Sequence, residues 1–426
     1  MKKVLFLIQW YPSVLSANAL CDEKIIRELK DSGEYEIHCV CYKPFGAKKE
    51  ENIDGVFAHR FTRGLWWNCV IWAKQNIKSR IAQIVLMLDR LVSFARIIIT
   101  MPLYPYTTPV ANWRFFRKAK KEFLSLKPDL IISEFHGLDC LYAGRKLKKN
   151  NPGIPFVAVL WDAYTGRKLP KHLPKSYSNR RIIAAEERDL SVADCIVVMK
   201  SNEEYQKAHA NDKAYYGNMT FLDIVGIVNP ERSDLQSSFI DKEKINIVYA
   251  GILSLPDRDP EYIIKALNLS QYASQIRLIF LCTGAGRNKL KTLSCEFKGE
   301  IIDNGYVTRA ELNSIYWGAD VLLNFGNPFP NMVPSKIFEY LSYGKPIMST
   351  YWIDGDTSKH YLDSYSLACC VDQRKPLDET ATRIDTFLTE IRGKILPFDW
   401  VKNEFKENTP KAYVDLIDNL VRQEEK

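Results

Sequence analysis

The stretch NPFPNMVPSKIFEYLSYGKPIMST, residues 327–350, contains a helix and the strand that follows it. Pro334 suits a helix first turn, where its missing N–H costs nothing, and Gly344 suits the helix C-terminus. A short apolar strand, 346–350, comes next, and another, 321–325, stands before. The segment therefore reads strand, helix, strand, which is the crossover unit of a parallel sheet. Lys336 falls in the first turn, where its charge opposes the helix dipole by roughly 0.3–1 kcal/mol. An anion at that end would turn the placement favourable, because backbone N–H groups at a helix start bind phosphate.

The same rhythm extends along the chain. Strands are predicted at 4–8, 37–41, 130–133, 156–160 and 195–199, then at 245–249, 276–282, 301–304, 321–325 and 346–350. At 426 residues the chain exceeds what one core usually supports. The expected fold is α/β, with two doubly wound, Rossmann-like domains: 1–228, a linker at 229–244 rich in polar and turn residues, and 245–395. Residues 396–426 read as C-terminal helices that pack back on the first domain.

Hydrophobic and charged contents of 46% and 26% are those of an ordered globular protein. The net charge of +8 is uneven: residues 1–230 hold 35 Lys and Arg against 23 Asp and Glu. Ten cysteines show no paired metal-ligand spacing and fit a reduced cytosol, and six histidines form no ligand pair on a helix face. No metal and no nucleic-acid partner are expected. The opening run KKVLFLIQWYP is short and ends at Pro12, as a buried strand does rather than a signal peptide.

Residues 64–110 break the pattern. Trp66, Trp67, Trp72 and many aliphatics are interleaved with Lys74, Lys78, Arg80, Arg90 and Arg96, and Asp89 is the one acid. Charges interrupt each apolar run before the roughly 20 residues a spanning helix needs. A basic amphipathic insert on an anionic membrane is the functional reading, and helices packed on the first domain the plain one.

Ligands of doubly wound sheets bind beyond the carboxyl ends of the strands. The loops there are AGILSLPDRDP with Gly251 and Arg258, TGAGRNKL with Gly284, GYVTRAEL with Tyr306 and Val307, and the opening stretch. DRD at 257–259 imitates a metal-binding aspartate pair, but Arg258 is the more useful residue in a loop that faces phosphate.

With VYAGIL at 248–253, GYV at 305–307, LNSIYWGADVLLNFG at 312–326, MVPSKIFEYLSYGKPIM at 332–348 and ADCIVVMKS at 193–201, the chain resembles the GT-B glycosyltransferases. Among these it looks like the broad family-four-like group that builds bacterial cell-surface polysaccharides. The resemblance implies two domains facing each other across a cleft, with a nucleotide-diphosphate sugar bound on the second. It implies that Lys336 and Arg258 steady the diphosphate and that Glu339 contacts the ribose. The backbone near Tyr306 and Val307 would bind the base, and Gly251, Gly284, Pro334 and Ser335 would line the donor. Asn331 stands where many members have a glutamate, which leaves the sugar contact unassigned. On the acceptor side Asp162 is the first candidate and His136 the second; Glu187 fits a solvated helix charge equally well. Ser16, Ala17 and Asn18 replace the usual double glycine with small residues.

Family resemblance leans toward retention of anomeric configuration. The expected function is transfer of the sugar to a glycan or lipid-linked acceptor in capsular, O-antigen or exopolysaccharide synthesis. No cofactor is expected, and the place of work is the cytoplasmic face of the membrane, held peripherally. Two rivals come from other classes. One is a non-catalytic, membrane-associated nucleotide-sugar-binding partner. The other, a dinucleotide-dependent oxidoreductase, lacks G-x-G-x-x-G after the first strand.

Overall fold

A computed structural model describes residues 1–12, 17–44, 46–76, 79–135, 137–165, 169–170, 172–233, 237–328, 334–391 and 393–423. The chain divides into two compact units, Met1–Ile224 with Pro410–Lys426, and Val225–Thr409. Each is a mixed α/β layer structure around one sheet.

In the first unit the strands are β1 Lys2–Leu7, β2 Tyr35–Tyr42, β3 Glu50–Ile53, β4 Val56–Phe61, β5 Leu130–Glu134, β6 Phe156–Leu160, β7 Cys195–Met199 and β8 Met219–Leu222. They lie in the order β3-β4-β2-β1-β5-β6-β7-β8, parallel except for the β3–β4 hairpin. The central strands are buried along their whole length, as expected where helices cover both faces, and this is why they read as unbroken apolar runs.

The second unit has β9 Ile245–Ile252, β10 Ile276–Thr283, β11 Glu300–Asn304, β12 Val321–Phe325, β13 Ile347–Tyr351 and β14 Ala368–Asp372, in the order β11-β10-β9-β12-β13-β14. All its pairings are parallel. This is the 3-2-1-4-5-6 order of a doubly wound sheet, with the direction of winding reversed between β9 and β12.

Ten strands stand where the sequence predicts them, with no end more than three residues away. Four more, β3, β4, β8 and β14, were not predicted. β4 alternates buried and half-exposed residues at a sheet margin and so lacks an apolar run. Its turn did carry a signal: Asp54 and Gly55, at φ 50° and 90°, form the Asp-Gly corner that hairpins favour.

The boundary between units falls just before 229–244, and the two tail helices separate. Phe398–Glu404 stays with the second unit, whereas Pro410–Gln423 packs on the Ala17–Asp31 helix of the first. Tyr413, Val414, Ile417 and Val421 form the buried stripe of that last helix, and the Tyr413 hydroxyl donates to the Asp223 carbonyl at 2.8 Å. The insert forms two helices, Leu65–Gln75 and Arg80–Thr100, packed on each other. Among the described residues no helix is long and apolar enough to cross a membrane.

Candidate functional site

The loops at the carboxyl ends of β9 and β10 are joined through Leu253. Its N–H donates to the Thr283 carbonyl at 2.8 Å, and its own carbonyl accepts from the Gly286 N–H at 2.9 Å. Gly284 sits at φ 101°, and a Cβ there would press into the Leu253 carbonyl oxygen, so the position requires glycine twice over. A Cβ on Gly251 would come within 2.9 Å of the Tyr249 hydroxyl oxygen. That hydroxyl donates to the Ile252 carbonyl at 3.0 Å and is also hydrogen-bonded by the Arg258 side chain. Burial pushes the Tyr249 hydroxyl up to about 12, with the Arg258 guanidinium opposing the shift. Arg258 is thus anchored at its own strand's end.

The helix of the opening stretch spans Lys336–Ser342 and stops at Gly344, φ 64°. Pro334 is buried just ahead of it, and Ser335 occupies the cap position without a side-chain cap bond. Tyr340 ties the helix to β9, its hydroxyl accepting the Ala250 N–H at 3.1 Å. This bond fixes the helix that carries Lys336 and Glu339 against β9. The two charged side chains, each about one-third exposed, meet at 2.6 Å, and the Lys336 ammonium also lies 5.7 Å from the centre of the buried Tyr316 ring. The charge that opposes the helix dipole is therefore answered within the helix, by Glu339. The sequence reading weighed an outside anion against plain solvent and did not consider Glu339 as the partner. It missed Tyr249, Tyr316 and Tyr340, which look like ordinary core aromatics in sequence.

Tyr306 is 72% exposed after β11, and Val307 is half-buried beside it. Asp259 is taken up by Lys289 at 2.5 Å and by the Glu261 N–H at 3.0 Å, so the DRD loop does not present a free aspartate pair. Among the described residues one cluster, Glu50, His59 and Glu122, has metal-ligand proximity; it lies in the first unit, with Lys118 bridging its two carboxylates at 2.7 and 2.9 Å.

In the first unit, Asp162 is exposed just after β6 and accepts from the Asn18 amide at 3.0 Å, so two acceptor-side candidates are brought together. Glu187 lies on an exposed helix face, 3.8 Å from Lys213, as a solvated charge would. Asn331, His136 and Ser16 lie outside the described residues. Two further acids went unnoticed: Asp22, one turn after Asn18, and Glu134, the last residue of β5. Both are buried. An acid closing the apolar run LIIS was the available signal.

No family model and no curated protein matches the chain. Solved structures do match over the full length. Sucrose-phosphate synthase from Thermosynechococcus elongatus aligns with a TM-score of 0.61 at 12% identity, covering 99% of each chain. HepE from Anabaena, in complex with UDP, aligns at 0.57 and 14%, covering 98% of this chain and 100% of that one. UDP-GlcNAc 2-epimerase from Methanocaldococcus jannaschii aligns at 0.54 and 9%, covering 98% and 99%. Glycosyltransferases thus stand among the structural neighbours, alongside an epimerase. At these identities the likeness establishes the fold, and the chain has the two-Rossmann-domain fold of the GT-B glycosyltransferases.

Proposed function

We propose that the protein is a glycosyltransferase that takes a sugar from a nucleotide-diphosphate donor. The observations that support the reading are the anchoring of Arg258 on Tyr249 of β9 and the Tyr340–Ala250 bond, which ties the helix that carries Lys336 to the same strand. When the glycosidic bond to the diphosphate breaks, negative charge grows on the departing phosphate. Cations fixed beforehand stabilise that charge more than they stabilise the ground state. Lys336 would exchange its contact with Glu339 for the phosphate, and Glu339 would then take the ribose hydroxyls. Gly251 and Gly284 leave room for close approach, and Tyr306 and Val307 would face the base. The role of Asn331, opposite the sugar, is carried by resemblance alone.

On the first unit Asp162, oriented by Asn18, would hold the acceptor hydroxyl. The acceptor would be a glycan or lipid-linked sugar in surface-polysaccharide synthesis, transfer would retain configuration, and the leaving group's charge would be met by side chains without a metal. The Arg80–Thr100 helix supports membrane work. Ala82 and Thr100 are its buried residues, and the opposite side exposes Ile81, Ile84, Leu88, Leu91, Phe94 and Ile98. At about 100° per residue the exposed apolar arc spans roughly 140° and is bordered by Arg90 and Arg96. Apolar side chains ringed by arginine suit an anionic lipid surface.

Incubation with a panel of nucleotide sugars and lipid-linked acceptors tests the reading. Donor-dependent product with release of the nucleoside diphosphate is expected. Epimerised nucleotide sugar, or binding without turnover across the panel, would overturn it.

A further inference from the structure

The cations beside the β3–β4 hairpin divide into two kinds. Arg60 on β4 meets Glu51 at 2.6 Å, and Lys118 on the Pro109–Leu126 helix meets Glu50 and Glu122 at 2.7 and 2.9 Å. Arg63, just past β4, and Arg114, one turn before Lys118, are half-buried and have no carboxylate partner among the described residues. Both are held by other means. The Arg63 guanidinium lies 4.6 Å from the centre of the Trp67 ring and 5.4 Å from that of Tyr42, and Arg114 donates to the Thr62 hydroxyl at 3.5 Å. Asp139, the acid beyond the Tyr42 ring, is taken up by the Tyr42 hydroxyl and the Gln9 amide.

The two arginines flank Gly64. Among the described residues, and chain neighbours aside, a Cβ added there would have one atom within 4 Å, the Arg114 Nη1 at 3.8 Å. The space beside Gly64 is therefore bounded by a guanidinium. It lies past the carboxyl end of β4, next to Tyr42 at the end of β2, on the side where doubly wound sheets take their ligands. Half-buried cations without acids are unfavourable alone and favourable around an anion, and the guanidinium fork matches two phosphate oxygens at once.

We propose that Arg63 and Arg114 form a second phosphate site, which holds the phosphate joining an acceptor glycan to its lipid. Distance argues for that source. Four strand pairings separate β4 from β6, after which Asp162 stands, so at about 4.8 Å each the site and Asp162 lie roughly 19 Å apart along the sheet edge. A single sugar phosphate is too short to reach both, whereas a glycan of several sugars on a diphosphate is not. The site also stands at the foot of the insert whose Arg80–Thr100 helix exposes its apolar arc. Assignment to the acceptor rests on the glycosyltransferase reading; the phosphate site itself does not.

Fluorine NMR of protein labelled with 5-fluorotryptophan reports occupancy through Trp67, identified by Trp67→Phe. Inorganic pyrophosphate should move the Trp67 resonance saturably, and Arg63→Gln with Arg114→Gln should weaken its apparent affinity roughly tenfold or more. Gly64→Asp separates binding from folding. Gly64 has extended backbone that any residue adopts, and a carboxylate there would cap the Leu65–Gln75 helix and meet Arg114. Pyrophosphate should then lose its effect while the melting temperature of the free protein holds or rises. In turnover, Gly64→Asp should raise the KM of an oligosaccharide on a lipid diphosphate roughly tenfold, but that of the same oligosaccharide without its phosphate less than about twofold. A Trp67 resonance indifferent to pyrophosphate, or one that responds equally in the arginine double variant, overturns the site. An unchanged KM for the phosphorylated acceptor overturns its assignment to the acceptor. Absence of transfer with every donor, while pyrophosphate still moves Trp67, would sink the enzymatic reading instead, so the failures are told apart.

Discussion

The ammonium of Lys336 and the carboxylate of Glu339 meet at 2.6 Å across one turn of a seven-residue helix. A pair spaced i, i+3 and about one-third exposed is worth only a few tenths of a kcal/mol. That makes it a contact a diphosphate could replace at little cost.

Lys336→Ala should therefore change stability by no more than about 0.5 kcal/mol, because the remaining Glu339 carboxylate lies in the first turn, where the helix dipole favours it. Donor affinity and rate together should fall by about 2–4 kcal/mol, the scale of losing one preorganised electrostatic group. Calorimetric titration with nucleoside diphosphate, alongside thermal melts, checks both halves. Unchanged affinity would reduce Lys336 to a surface ion pair.

Legibility followed burial. Strands enclosed on both faces, such as Phe156–Leu160 and Val321–Phe325, are apolar throughout and were read to the residue. Marginal strands such as Met219–Leu222, half-buried along its length, carry no such run. In the candidate site, the sequence disclosed residues whose chemistry is unusual for their place: Lys336 in a first turn, Arg258 in a small-residue loop. It did not disclose partners whose role depends on distance in space. Tyr340 reaches Ala250 across 90 residues, and Trp161 reaches Asp22 across 139. Neither pairing leaves a local pattern.

The state of the DRD loop motivates a prediction of metal independence. Asp259 is engaged by Lys289 and a backbone N–H, and Arg258 is turned to Tyr249. Turnover should survive EDTA with less than a twofold loss. Loss of activity that manganese restores would return Asp257 and Asp259 to consideration as ligands.

The exposed arc of the Arg80–Thr100 helix gives a prediction about lipid. Leu91→Glu with Phe94→Glu places two charges at side chains that are 61% and 66% exposed, so the fold should be kept. Co-sedimentation with anionic vesicles at low salt should drop at least tenfold relative to the unmodified protein, and neutral vesicles should bind both poorly. Equal recovery of the double variant would mean that the arc does not meet the bilayer.

Gly284 tests the loop that frames the donor side. Alanine there must adopt φ near 101° and meet the Leu253 carbonyl, whose two nearest atoms are backbone and cannot swing away. Gly284→Ala should cost about 1–3 kcal/mol in denaturant unfolding and weaken nucleoside diphosphate binding in parallel. Gly393→Ala, also at positive φ but with open space around its Cβ, is the control and should cost less. Equal costs would assign the effect to φ alone and remove the argument from close packing.

The buried acid pair gives the last prediction, on stability. Asp22 is raised from an ordinary 3.8 to about 7, chiefly by burial. Between those values the folded protein holds a proton that the unfolded chain has released, so unfolding sheds protons and stability falls as pH rises. The contribution is complete below pH 4 and lost by about pH 7. His38, lowered mainly by burial, acts with the opposite sign in an overlapping range, so the raw profile of the whole protein does not isolate Asp22. The difference between the unmodified protein and Asp22→Asn does. Unfolding in urea at intervals from pH 4 to pH 8 should give a difference that favours the unmodified protein most at the acid end and shrinks toward neutrality. A difference that is flat across the range would show that Asp22 carries the same protonation folded and unfolded, and that burial beneath Trp161 leaves its carboxyl unperturbed.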